Sequence, residues 1–154
     1  MKRIGTISGS VVLAAVTLTW AGSAQAAPSY VLKNHKTGLC LTAGSTDGGF
    51  ATRDCTKGDL YQRFSLVPLD DGTVEIMSEG TGKCLDGSHA GNIYQTTCNP
   101  ENPYMHWYVT ERGTDSYSYR SKGSDLCLDS ASDGRAYGHT CNDGEYQVWS
   151  RLAP

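Results

Sequence analysis

The sequence predicts an all-β fold built from three homologous units closed around a pseudo-threefold axis. Two observations carry that expectation. The leading cysteines Cys40, Cys84 and Cys127 fall 44 and 43 residues apart, and the trailing ones, Cys55, Cys98 and Cys141, fall 43 and 43 apart. A large aromatic follows each trailing cysteine at the same register: Phe64, Trp107 and Trp149, spaced 43 and 42. Each leading cysteine opens a Cys-Leu pair, and two units place glutamine two residues before the aromatic, Gln62 and Gln147, where the middle unit has Met105. A period near 43 also suits a propeller blade, but propellers need about four to eight blades. An open solenoid wants atypical capping units, which three copies in register do not supply. Closure around an axis, with Phe64, Trp107 and Trp149 in equivalent core positions, satisfies the count.

The first residues read as a targeting leader and stand outside the fold. Lys2 and Arg3 supply a basic start, Val11 to Trp20 an apolar stretch, and Ala24-Gln25-Ala26 the small-x-small pattern of a cleavage site. The apolar run is broken by Gly9, Ser10 and Gly22 and is too short to span a bilayer. A leader over 1–26 places the mature N-terminus at Ala27 and the protein in the extracellular fluid. The remaining 128 residues suffice for one domain with its own core. Removing Lys2 and Arg3 leaves 11 basic against 16 acidic residues, a net charge of about −5. An acidic chain without a Lys/Arg cluster is a poor match for nucleic acid or anionic membrane, so neutral partners are expected.

Within the mature part, the units open with β-favouring residues: Tyr30-Val31-Leu32, Thr73-Val74-Glu75-Ile76 and Tyr117-Ser118-Tyr119. Asp47-Gly48-Gly49, Asp71-Gly72, Asp133-Gly134 and Asp143-Gly144 mark turns between short strands. No helical apolar period stands out. Six cysteines behind a leader indicate a disulfide framework, and their in-register placement points to pairing within units: 40–55, 84–98 and 127–141. Closing a loop of that size stabilises by roughly 3 kcal/mol in the chain-entropy model.

Some polar residues also repeat, though only twice. Asp86, Tyr94, Asn99 and Tyr104 in the second unit match Asp129, Tyr137, Asn142 and Tyr146 in the third, with the same spacing of eight from aspartate to first tyrosine. The first unit has Thr42, Ala51 and Thr56 at the corresponding places and keeps Tyr61. Taken singly, each aspartate reads as a turn residue and each tyrosine as a strand residue. Loss of Asp, Tyr and Asn together, with the fold markers kept, argues for a shared task outside folding. The residue types suit sugars. A carboxylate accepts two hydrogen bonds from vicinal hydroxyls, an aromatic ring covers the C–H face of a pyranose, and asparagine both donates and accepts.

The Cys-Leu-Asp and Gln-x-Trp markers resemble the ricin-type lectin family, across essentially the whole mature chain. The resemblance implies a β-trefoil over 29–154, with subdomains α (29–68), β (69–110) and γ (111–154), and a sugar pocket built from each subdomain's own residues. Leu128-Asp129-Ser130, Ala136-Tyr137, Cys141-Asn142 and Tyr146-Gln147-Val148-Trp149 are most similar to the actinohivin-type, high-mannose-binding branch of that family. On this carry-over γ is the best site and β the next, with Met105 in place of the supporting glutamine, while α is empty. Gln62 and Gln147 are expected to bond loop backbone beside the core aromatic. The implied activity is glycan binding without catalysis, mannose-type in the first instance. A galactose- or xylan-binding module of the xylanase-associated kind is the alternative, and a trefoil protease inhibitor the alternative of another class. No cofactor or metal is expected: His35, His89, His106 and His139 show no ligand spacing. Asp70-Asp71 reads as a turn and not a catalytic pair.

Overall fold

The computed structural model describes residues 26–44 and 48–154, so the leader read at 1–26 lies, apart from Ala26, outside the described residues. Twelve short strands and three single-turn 3-10 helices follow one plan three times. Subdomain α contains β1 (Ser29–Asn34), β2 (Cys40–Ala43), β3 (Phe50–Arg53), η1 (Leu60–Gln62) and β4 (Arg63–Pro68). Subdomain β repeats it as β5 (Val74–Ser78), β6 (Cys84–Gly87), β7 (Ile93–Thr96), η2 (Pro103–Met105) and β8 (Trp107–Gly113). Subdomain γ contributes β9 (Ser116–Ser121), β10 (Leu126–Ser130), β11 (Ala136–Thr140), η3 (Glu145–Gln147) and β12 (Trp149–Leu152).

The pairing closes a barrel. Antiparallel ladders join β1 to β4, β4 to β5, β5 to β8, β8 to β9, β9 to β12 and β12 back to β1. A closed ring leaves no edge strand open to another chain. The hairpins β2–β3, β6–β7 and β10–β11 form a triangular cap over one end. Their tips lock in a cycle: Thr52 N–H donates to the Gly134 carbonyl (2.8 Å), Gln95 N–H to Gly48 (2.6 Å) and Gly138 N–H to Gly91 (2.8 Å). Gly91 has a positive φ of 77°, and a Cβ there would stand 2.5 Å from the Gly138 carbonyl oxygen. Only glycine permits that approach.

The core lies on the axis in three equivalent sets. Phe64, Trp107 and Trp149, then Leu41, Leu85 and Leu128, then Leu32, Ile76 and Tyr119, are all fully buried. Each large side chain removed from water contributes roughly 1.5–3 kcal/mol. The two indoles also satisfy their N–H groups on the hairpins above: Trp107 donates to the Leu85 carbonyl and Trp149 to that of Leu128, both at 3.0 Å. The disulfides join Cys40 to Cys55, Cys84 to Cys98 and Cys127 to Cys141, one per subdomain as expected.

Candidate functional site

Cap hairpins position the repeated polar residues. In an antiparallel pair, residues directly opposite point to the same face. Asp86 lies opposite Tyr94 across β6–β7, and Asp129 opposite Tyr137 across β10–β11. The same register in β2–β3 sets Thr42 opposite Ala51. The spacing of eight is thus one hairpin arm out, a turn, and the other arm back.

Both carboxylates are nearly sealed, Asp86 at 2% exposure and Asp129 at 4%. In γ, Gln147 Nε2 donates to Asp129 Oδ2 at 2.9 Å and to the Thr140 carbonyl at 3.0 Å, while its Oε1 accepts from Asn142 N–H at 2.9 Å. Gln62 makes the corresponding bonds in α: to Thr42 Oγ1 (3.1 Å), to the Asp54 carbonyl (2.9 Å) and from Thr56 N–H (2.8 Å). Both glutamines therefore bond loop backbone as the sequence suggests, and each also reaches the first residue of the hairpin pair. Met105 fills the third such slot, buried. In its place Asn102 Nδ2 donates to Asp86 Oδ2 at 2.8 Å.

The remaining oxygen of each carboxylate, Asp86 Oδ1 and Asp129 Oδ1, is buried and makes no hydrogen bond of ordinary geometry, while the facing tyrosine hydroxyl stands close enough to each carboxylate to interact with it. The facing phenols are held protonated. Burial, then a hydrogen-bonding interaction with Asp86 and its negative charge, raises the Tyr94 pKa, and burial, then the charge of Asp129 and a hydrogen-bonding interaction with it, does the same for Tyr137. Each hairpin therefore sets an acceptor-only carboxylate beside a hydroxyl donor on an aromatic ring.

Around these pairs the two subdomains differ. Tyr94 (40% exposed) and Tyr104, with Ser88, His89 and Ala90, line an open cleft of about 320 Å³. His89 packs edge-on against Tyr104 with centroids 5.0 Å apart. In γ, Tyr137 meets His139 edge-on at 6.1 Å and carries the Arg135 guanidinium 5.4 Å above its ring, while Tyr146 is exposed on η3. Asn99 and Asn142 start the turns into η2 and η3. Asn99 Oδ1 accepts from Glu101 N–H (3.0 Å) and Asn142 Oδ1 from Gly144 N–H (2.7 Å). In α, the corresponding hollow between Thr42, Gly44, Gly49 and Ala51 shrinks to about 70 Å³.

Three contributors escape a reading by spacing: Asn102, His89 and Arg135. His89 and Arg135 each lie two or three residues from a tyrosine or aspartate of the set, on hairpin tips whose packing three-dimensional closure decides. Among the described residues one group, Glu75 with Cys84 and Cys98, has metal-like proximity. Its two sulfurs are joined in a disulfide and cannot ligate as thiolates.

Comparison with known proteins agrees with this architecture. The family model for the ricin-type beta-trefoil lectin domain matches residues 28–149. No curated protein matches. Among solved structures, the chain is similar to ThreeFoil, a designed threefold-symmetric protein (22% identity, TM-score 0.73, covering 82% of this chain and 99% of that one). It is also similar to the hemolytic lectin CEL-III (25% identity, TM-score 0.69, 83% of this chain), of whose length it spans 31%. SeviL, solved bound to asialo-GM1 saccharide, has 16% identity and a TM-score of 0.68, with 80% of this chain and 95% of that one covered.

Proposed function

The chain belongs to the ricin-type β-trefoil lectin domain family, and on that premise we propose that it is a secreted lectin binding neutral, mannose-type glycans through sites in γ and β, without catalysis. The observation that carries this reading is the pair of buried carboxylates, each with one oxygen held by an amide and the other without a well-formed hydrogen bond, in a carboxylate that faces a tyrosine hydroxyl. A buried carboxylate oxygen without a well-formed hydrogen bond forgoes part of the roughly 1.5–3 kcal/mol that a hydrogen bond to a charged group contributes. A sugar hydroxyl that takes the place of the neighbouring phenol hydroxyl supplies that bond, and the tyrosine ring then covers the C–H face of the pyranose. The empty α subdomain keeps the glutamine and the fold without the carboxylate, which supports a ligand role and not a folding role for Asp86 and Asp129. The mannose-type preference rests on the resemblance of these two units to the high-mannose-binding branch of the family, carried by the aspartate-to-tyrosine spacing of eight and the asparagine directly after each trailing cysteine. Three disulfides and the Ala24-Gln25-Ala26 pattern support export, with Ala27 as the mature N-terminus.

Shallow pockets of this kind hold a monosaccharide with a dissociation constant on the order of millimolar. Two engaged on one branched glycan raise apparent affinity by roughly 10² or more where geometry permits. A glycan array, followed by titration calorimetry with mannose, galactose and xylose, tests the reading. Binding should fall to one site in Asp86→Asn or Asp129→Asn, vanish in the double variant, and stay unchanged in Thr42→Ala. Sugar binding by a folded double variant refutes the pocket assignment, and a preference for galactose or xylose refutes the mannose type.

A further inference from the structure

We propose that Asn102 is the positioning residue of the β site, doing for Asp86 what Gln147 does for Asp129. The inference rests on the reading of Asp86 as a sugar contact. Its starting point is a conflict: subdomain β keeps the aspartate and both tyrosines, yet loses the amide that secures the carboxylate in γ. Met105 is close to glutamine in length and fills the same buried slot, but a thioether has no hydrogen to donate.

The replacement comes from three residues upstream. Asp59, Asn102 and Gly144 are the equivalent N-cap residues of η1, η2 and η3. Asp59 caps its helix through Oδ1, which accepts from Tyr61 N–H at 3.0 Å. An ionised carboxylate only accepts, so it could cap η2 but would repel Asp86. Gly144 has no side chain, and γ needs none there because Gln147 is present. Asn102 alone of the three combines both tasks. Its Oδ1 accepts from Tyr104 N–H at 3.1 Å, and its Nδ2 donates to Asp86 Oδ2 at 2.8 Å. The cap fixes the amide orientation, since the flipped form would set oxygen against carboxylate. A single side chain therefore fixes both the carboxylate and the first turn carrying Tyr104, the two flanks of the β site.

The prediction follows from separating cap from donor. Serine is as good an N-cap as asparagine but too short to reach Asp86. With γ silenced by Asp129→Asn, Asn102→Ser should weaken mannose binding at the β site roughly ten- to hundredfold, the range for a lost hydrogen bond to a charged group. Its unfolding temperature should stay close to that of the parent. Adding Met105→Gln restores the donor by the γ route and should recover binding to within about threefold. A purely structural role for Asn102 would give no such rescue. Unchanged binding in Asn102→Ser, or no recovery with Met105→Gln, overturns the proposal. Failure of the site reading looks different, because mannose then still binds when Asp86→Asn is combined with Asp129→Asn. The positioning bond is then read without sugar: Asp86→Ala should shift the side-chain amide proton resonances of Asn102, and unmoved resonances overturn it.

Discussion

Replacing Asp129 by asparagine should abolish the γ site while leaving the protein as stable as before or more so. The carboxylate is 4% exposed, accepts from Gln147 Nε2 through Oδ2, and leaves Oδ1 buried without a well-formed hydrogen bond. Asparagine keeps the shape. Its carbonyl oxygen can face Gln147, which sets its NH₂ where Oδ1 stood, beside the Tyr137 hydroxyl, a group able to accept. The substitution weakens one charge-assisted bond to a neutral one, about 1 kcal/mol, and relieves a buried charge whose Oδ1 lacks a well-formed hydrogen bond, about 1–3 kcal/mol. The net change lies between about 0 and +2 kcal/mol. In a domain of this length each kcal/mol moves the melting temperature by roughly 3–5 °C. Binding moves the other way. The sugar hydroxyl loses a charged acceptor, about 1–2 kcal/mol, which carries a millimolar site beyond calorimetric reach. Scanning calorimetry of the sugar-free protein and a mannose titration are both needed. Destabilisation by more than about 1 kcal/mol would show the carboxylate to be part of the folding network, and the reasoning from Oδ1 would fail.

Two further outcomes follow. Glu75 is buried with Oε1 unpaired, and burial raises its pKa despite the opposing influence of His106. A carboxyl raised in the fold contributes stability at pH below the ordinary carboxylate range and loses it as pH rises through its folded pKa. Glu75→Gln should therefore raise the melting temperature by a few degrees at pH 7, with the gain shrinking toward pH 4, and a pH-independent gain refutes this. Converting Cys127 and Cys141 to alanine should cost about 3 kcal/mol, and chemical denaturation showing under 1 kcal/mol would mean that the 14-residue closure restrains little in the unfolded chain.

Spacing made much of this legible. A residue's register in a repeat survives folding, so Phe64, Trp107 and Trp149 meet on the axis and the cysteines pair within units. Asp86 meets Tyr94 because eight residues are the length of a two-armed hairpin. Convergence between segments at different registers is not carried by spacing. Asn102 belongs to the turn that leads into η2, and its second hydrogen bond exists only because β6 passes beneath that turn. Asn99 and Asn142 match the sugar-binding pattern, yet each commits its Oδ1 to a backbone N–H two residues on, a local preference strong for asparagine. Glu75 sits between core positions in β5, where alternation predicts an outward side chain. The 84–98 disulfide lies beside its carboxylate.

Subdomain α supplies the internal control that a single site could not. Gln62 holds Thr42 Oγ1, the Asp54 carbonyl and Thr56 N–H in the arrangement by which Gln147 holds Asp129, Thr140 and Asn142. Thr42 Oγ1 donates in turn to the Cys40 carbonyl at 3.0 Å, so the hydroxyl is satisfied from both sides. A neutral side chain in this position meets every structural need of the hairpin. Aspartate at the same place adds a buried charge and an oxygen without a well-formed hydrogen bond, both of which oppose folding. The fold has a less costly solution available and uses it once in three. Where the costlier one stands, it stands with its tyrosine, and in β it has recruited a second amide when the first was lost. That pattern supports the proposed ligand role of Asp86 and Asp129 over a reading of either as a simple turn aspartate.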